Sequence, residues 1–175
     1  GTQGSITSPA SGEAVRCVFR NSPLVANVVI NKHVTDVLGA NPVPDEGWTV
    51  SAETQATSGT ATQTPSAKTQ VTDTAGRAEW DVKFGAYDHH ATVTVYEDSA
   101  SKPGYEFMGG QCVITGLDGS ERVTQLEEPT ATPLTGVKPG DSVECTYVNK
   151  PSPGTLAITK AFDESVPTGS GTDVD

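Results

Sequence analysis

Three residues far apart in a chain of 175 carry complementary chemistry: Lys32, Glu97 and Asn149. Successive side chains of an extended strand point to opposite faces, so residues two apart share a side. Val28, Ile30, Lys32 and Val34 form one such line, Val93, Val95 and Glu97 a second, and Val143, Cys145, Tyr147 and Asn149 a third. Each apolar line carries one polar residue. A buried ammonium or carboxylate costs several kcal/mol unless it is paired or neutralised, so three such residues with matching chemistry point to a joint site. Desolvation lowers the pKa of a lysine and raises that of a glutamate. The neutral amine is a nucleophile, and the neutral acid can hydrogen-bond to the asparagine carbonyl, polarise it and shuttle protons. The chemistry that uses this trio is amide exchange. Lys32 takes the acyl group of Asn149, ammonia leaves, and an isopeptide bond joins the first strand to the last with Glu97 as catalytic acid. Glu79 is a rival acid, but it is out of phase with Ala78, Trp80, Val82 and Phe84 and faces solvent.

The elements that position the trio are short strands separated by turn chemistry. The spacing predicts strands over 28–35, 48–54, 76–84, 91–97, 110–116 and 142–149, with a further YEF piece at 105–107. NPVPDEG, TDTA, SKPG and VKPGD punctuate them. A Thr/Ser/Gln/Ala stretch at 55–70 is left unassigned. Aromatics make up 6% of the chain, so the core must be built mainly from branched aliphatics, which favours strands over helices. The pattern reads as an all-β, Ig-like sandwich. Trp48 and Trp80 share faces with Val50 and Val82 and are core positions.

The chain also repeats itself. CVFRN at 17–21 and CTYVN at 145–149 are separated by 128 residues, and the same offset aligns Gly12 with Gly140, Pro23 with Pro151, Ile30 with Ile158 and Lys32 with Lys160. The repeating unit is therefore a whole domain: 1–22 reads as the end of one copy, 23–150 as a complete copy, and 151–175 as the first strand of another, all within a longer protein. Asn21, Cys17 and Lys160 are the equivalents of Asn149, Cys145 and Lys32 in the adjoining copies. This explains the odd cysteine count, because the partner of Cys17 would precede the chain. A Cys112–Cys145 disulfide is expected, which implies an oxidising, extracellular setting; two buried free thiols are the alternative.

A net charge of −11 argues against nucleic acid as a partner. No run approaches the roughly 20 apolar residues of a membrane-spanning helix. Asp88, His89 and His90 with His33 could suggest a metal, but no further cysteine or carboxylate spacing completes a zinc or calcium pattern, so neither metal nor cofactor is expected. No nucleophile elbow frames the Ser, His and Asp residues.

Four motifs in order, INKHV, TDTAGRAEWDVKF, VTVYEDSASKPGYEF and VECTYVNKP, resemble a CnaB-type (prealbumin-like, also called SpaA-type) domain of Gram-positive surface adhesins and pilins. The resemblance covers roughly 22–150. It implies a bond between Lys32 and Asn149 with Glu97 as the acid, and LAITKAFD at 156–163 looks like the opening strand of the next such domain. The expected function is a cell-surface stalk or fibre module that cross-links itself once and is not otherwise an enzyme. Its expected partners are neighbouring modules of the same fold in the chain or filament. The alternatives are an adhesin module that binds a host or surface ligand through 55–70 and 117–133, or a filament subunit assembled by strand exchange.

Overall fold

The computed structural model describes residues 11, 12, 14 and 23–154. Cys17, Asn21 and Lys160, the positions assigned to adjoining repeats, lie outside the described residues. The strands in chain order are β1 (Val25–Val34), β2 (Val43–Pro44), β3 (Thr49–Ser58), β4 (Ala61–Thr64), β5 (Thr69–Val71), β6 (Arg77–Phe84), β7 (His90–Glu97), β8 (Tyr105–Thr115), β9 (Glu121–Leu126), β10 (Thr132–Val137) and β11 (Ser142–Pro151), with a short 3-10 turn at Ser99–Ser101.

They form two sheets packed face to face. The larger sheet has seven strands in the order β4-β6-β1-β11-β8-β9, with β2 alongside the end of β1; the smaller has four in the order β10-β7-β3-β5. Alternation decides which side of each strand turns inward. In β6 Ala78, Trp80, Val82 and Phe84 are buried while Arg77, Glu79, Asp81 and Lys83 are exposed. In β7 Ala91, Val93, Val95 and Glu97 are buried, and in β11 Val143, Cys145, Tyr147 and Asn149. Branched aliphatics and alanines from both sheets, with Trp80 and Tyr147, make one continuous core. The all-β sandwich expected from the sequence is the fold observed.

The segments that resisted assignment are strands that change sheet. β3 leaves the smaller sheet through Gly59, whose φ of +66° suits a residue without Cβ. β4 then pairs with β6 in the larger sheet, and β5 returns to pair with β3. On the opposite side β9 belongs to the larger sheet and β10 to the smaller. Both flanks of the sandwich are stitched in this way.

One pairing sets where the chain enters and leaves the sandwich. β1 and β11, the first and last strands, lie side by side and run parallel, with Asn27 beside Ser142 at one end and Val34 beside Asn149 at the other. Every other pairing among the described residues is antiparallel. The chain thus comes in at one end of the sandwich and leaves at the other. β11 is held on its second side by β8, where Cys145 faces Cys112 across the ladder and the two form a disulfide.

β8 is one strand, not the two pieces read from sequence. Between Val148 and Asn149 its register with β11 slips by a residue, so Gly109 pairs with Val148 and Phe107 with Asn149. The extra residue is a β-bulge, and Gly109 takes φ +134°, a conformation closed to most side chains.

Candidate functional site

At the end of the sandwich where β1 finishes and β11 leaves, three polar residues are shut in the core. Lys32 and Asn149 are 0% exposed and Glu97 is 2% exposed. Parallel pairing puts Lys32 beside Tyr147 and Asn149 two residues further along the same face. Glu97, the last residue of β7, reaches across from the opposite sheet. Its Oε2 lies 2.9 Å from Lys32 Nζ, and its Oε1 accepts a hydrogen bond of 2.8 Å from Asn149 Nδ2. Lys32 Nζ also donates to the Tyr147 carbonyl at 3.5 Å. One carboxylate therefore touches both the amine and the amide that the sequence singled out.

The surroundings are aromatic. Lys32 Nζ sits 4.1 Å from the centre of the Trp48 ring, which is itself fully buried. Tyr105 meets Trp48 edge-on at 5.1 Å, and Phe107 lies against Tyr147 at 6.2 Å. Desolvation pulls the Lys32 pKa from 10.5 down to about 8, against the opposing pull of Glu97. Desolvation pushes the Tyr147 hydroxyl above its ordinary range, with Glu97 adding to the effect.

Among the described residues, the Asn149 Oδ1 and the Tyr147 hydroxyl are buried without a hydrogen-bond partner. Such atoms are rare in native proteins and call for a reason. For Asn149 the reason lies in Glu97. An ionised carboxylate can only accept, so it holds the amide by its NH2 group and leaves the carbonyl bare. Once Glu97 carries a proton it becomes a donor, and turning the amide over would present Oδ1 to it. The sequence reading placed the acid on the carbonyl; here the carboxylate sits on the amide nitrogen.

Other candidates lie apart from this site. Glu79 is exposed and pairs with Arg77 at 2.6 Å. His89 accepts a hydrogen bond from the Thr60 amide at 2.9 Å. Among the described residues no three His, Cys, Asp or Glu side chains converge as metal ligands.

Sequence reasoning missed the wall of the site. Asp45, Trp48 and Lys102 come from two turns and Tyr105 opens β8; Trp48 was picked out as a core residue and Tyr105 only as part of a strand piece. The signal was faint: DEGW and SKPGY each set an aromatic beside charged and turn-forming residues at the start of a strand.

No protein-family model and no curated protein matches the chain. Among solved structures it is similar to the major pilin of Streptococcus pyogenes. Against one single-residue variant of that pilin the TM-score is 0.39 at 12% identity, covering 74% of this chain and 49% of the pilin. Against the pilin itself the values are 0.36 and 11%, covering 74% and 48%. A second variant gives 0.35 and 10%, covering 74% and 49%. The chain spans about half the length of these pilins.

Proposed function

We propose that this chain is a structural module of an extracellular stalk or fibre on a Gram-positive cell surface, locked by an isopeptide bond between Lys32 and Asn149. The observation that carries the reading is the buried contact of one carboxylate, Glu97, with both Lys32 and Asn149 on the parallel terminal strands. The CnaB-type resemblance of the four sequence motifs agrees with it. Residues 23–150 are the module, and the segments on either side belong to like modules in the same chain or filament.

The step balances within the site. The proton shared by Lys32 and Glu97 moves from Nζ to Oε2, which converts an ion pair into a neutral amine and a neutral acid. Nζ attacks Cγ of Asn149, and the acid stabilises the carbonyl oxygen. The bond from Cγ to Nδ2 then breaks, Nδ2 leaves with a proton passed through Glu97, and the products are one secondary amide and one ammonia. No metal, cofactor or second substrate is required, and the reaction happens once per chain.

Intact mass of the reduced, denatured protein tests this directly. The expected result is a deficit of one ammonia and a branched peptide joining Lys32 to Asn149 in the digest. A mass equal to the plain sequence would overturn the reading. The ligand-binding alternative has lost some of its ground, because 55–70 is largely strand and 117–133 contains β9, so both offer less loop for recognition.

A further inference from the structure

The wall that closes the reactive site is held by a charged pair the cross-linking chemistry does not use. The Trp48 indole N–H donates to Asp45 Oδ2 at 2.6 Å, and Lys102 Nζ donates to the same oxygen at 2.6 Å. Lys102 also donates to the Glu46 carbonyl at 2.8 Å, and the Asp45 amide donates to the Lys32 carbonyl at 3.0 Å. Lys102 Nζ stands 5.2 Å from the Trp48 ring centre, against 4.1 Å for Lys32 Nζ. The side chains of Asp45 and Lys102 are 31% and 30% exposed, so the pair lies at the boundary between the enclosed amine and water. Two separate turns, one after β2 and one before β8, are thereby drawn together over the site.

We propose that Asp45 and Lys102 form a latch that fixes the Trp48 indole against the Lys32 amine and governs how readily the chain cross-links, an inference that rests on the isopeptide reading above. Both are positioning residues. Asp45 orients the ring, and Lys102 holds Asp45 in place and shields its charge from Lys32. The groups facing the amine are Glu97 from β7, Tyr147 from β11, Asp45 and Lys102, with Tyr105 beyond the indole.

The latch has an electrical consequence with opposite signs at its two ends. Asp45 favours the ammonium form of Lys32 and Lys102 disfavours it. Burial works against the ionised form of Asp45, yet the bonds from Lys102 and Trp48 hold its carboxyl below the ordinary range. The step needs the proton that the Lys32 ammonium carries, so cross-linking fails on the alkaline side when that proton is lost. Asp45→Asn keeps an acceptor for the indole but removes the anion, so the alkaline limb moves to lower pH and the rate below it rises. Lys102→Met keeps the stem but removes the cation and frees Asp45, so the limb moves to higher pH and the rate below it falls. Each shift is up to about one pH unit.

The experiment recovers the full chain unreacted under denaturing conditions, refolds it into buffers from neutral to alkaline pH, and follows ammonia loss by intact mass over time. Wild type, Asp45→Asn, Lys102→Met and Lys102→Arg are compared, with tryptophan fluorescence confirming refolding. Opposite displacements of the alkaline limb, with Lys102→Arg restoring the wild-type profile, support the latch. Identical profiles, or displacement of both variants in one direction, overturn it while leaving the isopeptide reading intact. Absence of ammonia loss from the wild type overturns that reading and the latch with it.

Discussion

Burying the Lys32 ammonium is tolerable because Glu97 faces it at 2.9 Å; even so, desolvation draws its pKa down to about 8. This has a measurable consequence in a chain that cannot react. In Asn149→Ala the amine remains free, and from about pH 8 to its ordinary pKa of 10.5 the folded state has released a proton that the unfolded chain still binds. Where the unfolded state binds more protons, stability climbs with pH. Urea melts of Asn149→Ala should therefore show unfolding free energy rising from pH 8 towards pH 10. Above the ordinary tyrosine value of 10.0 the gain should reverse, because Tyr147 is held protonated in the fold and ionises only on unfolding. A flat profile would mean that Lys32 titrates normally. Glu97→Gln tests the other half of the pair. The amide can still contact Asn149 but can neither balance the ammonium nor carry a proton, so ammonia loss should cease. Leaving one partner of a buried pair uncompensated costs about 3–5 kcal/mol, and that variant should melt correspondingly below an unreacted chain that keeps the pair.

Delivery of these side chains depends on strands whose phase is fixed by burial, and on one whose phase is deliberately shifted. Counting back by twos from buried Cys112 in β8 would turn Gly110, Met108 and Glu106 inward. The bulge at Gly109 resets the count, so that Phe107 and Tyr105 face inward instead, against Tyr147 and Trp48. A Cβ on Gly109 would meet nothing closer than the Leu126 carbonyl at 3.9 Å, so its φ of +134° is the obstacle to substitution, not lack of space. Gly109→Ala should cost about 1–3 kcal/mol in a denaturant melt through backbone strain alone. The same contrast explains what the sequence disclosed. β1, β6, β7 and β11 each bury one face, so period-two alternation exposed Lys32, Glu97 and Asn149 and the strands that hold them. β4 and β5 have partly exposed residues on one face and exposed residues on the other, and β9 buries only Leu126, so no alternation marked them. Asp45 and Lys102 meet only because two turns close over one end of the sandwich, an arrangement no local pattern encodes. The disulfide belongs to this scale too. It ties β8 to β11 across a sequence separation of 33, and its removal should lower stability by about 3–4 kcal/mol on the loop-entropy model.

For the molecule as a whole, the parallel arrangement of β1 and β11 decides how tension is carried. With the ends at opposite poles, a pull shears the two terminal strands against each other along their full ladder. An isopeptide bond changes the path. Tension would run along β1 to Lys32, cross to Asn149 and leave through β11, so that residues 33–148 carry none of it. Cys112 and Cys145 both lie within that bypassed stretch. The disulfide would then contribute to folding stability and to the placement of β11, but not to resistance under load. Single-molecule pulling separates these roles. In Lys32→Ala the module should unfold under force, and reduction of the disulfide should lengthen each unfolding step by about 110 Å, the extended reach of the sequence separation of 33 that it spans. The wild-type chain should show no unfolding step, and reduction should change nothing. A step in the wild type that lengthens on reduction would return the disulfide to the tensioned path, and the chain would then have to resist force without a Lys32–Asn149 bond.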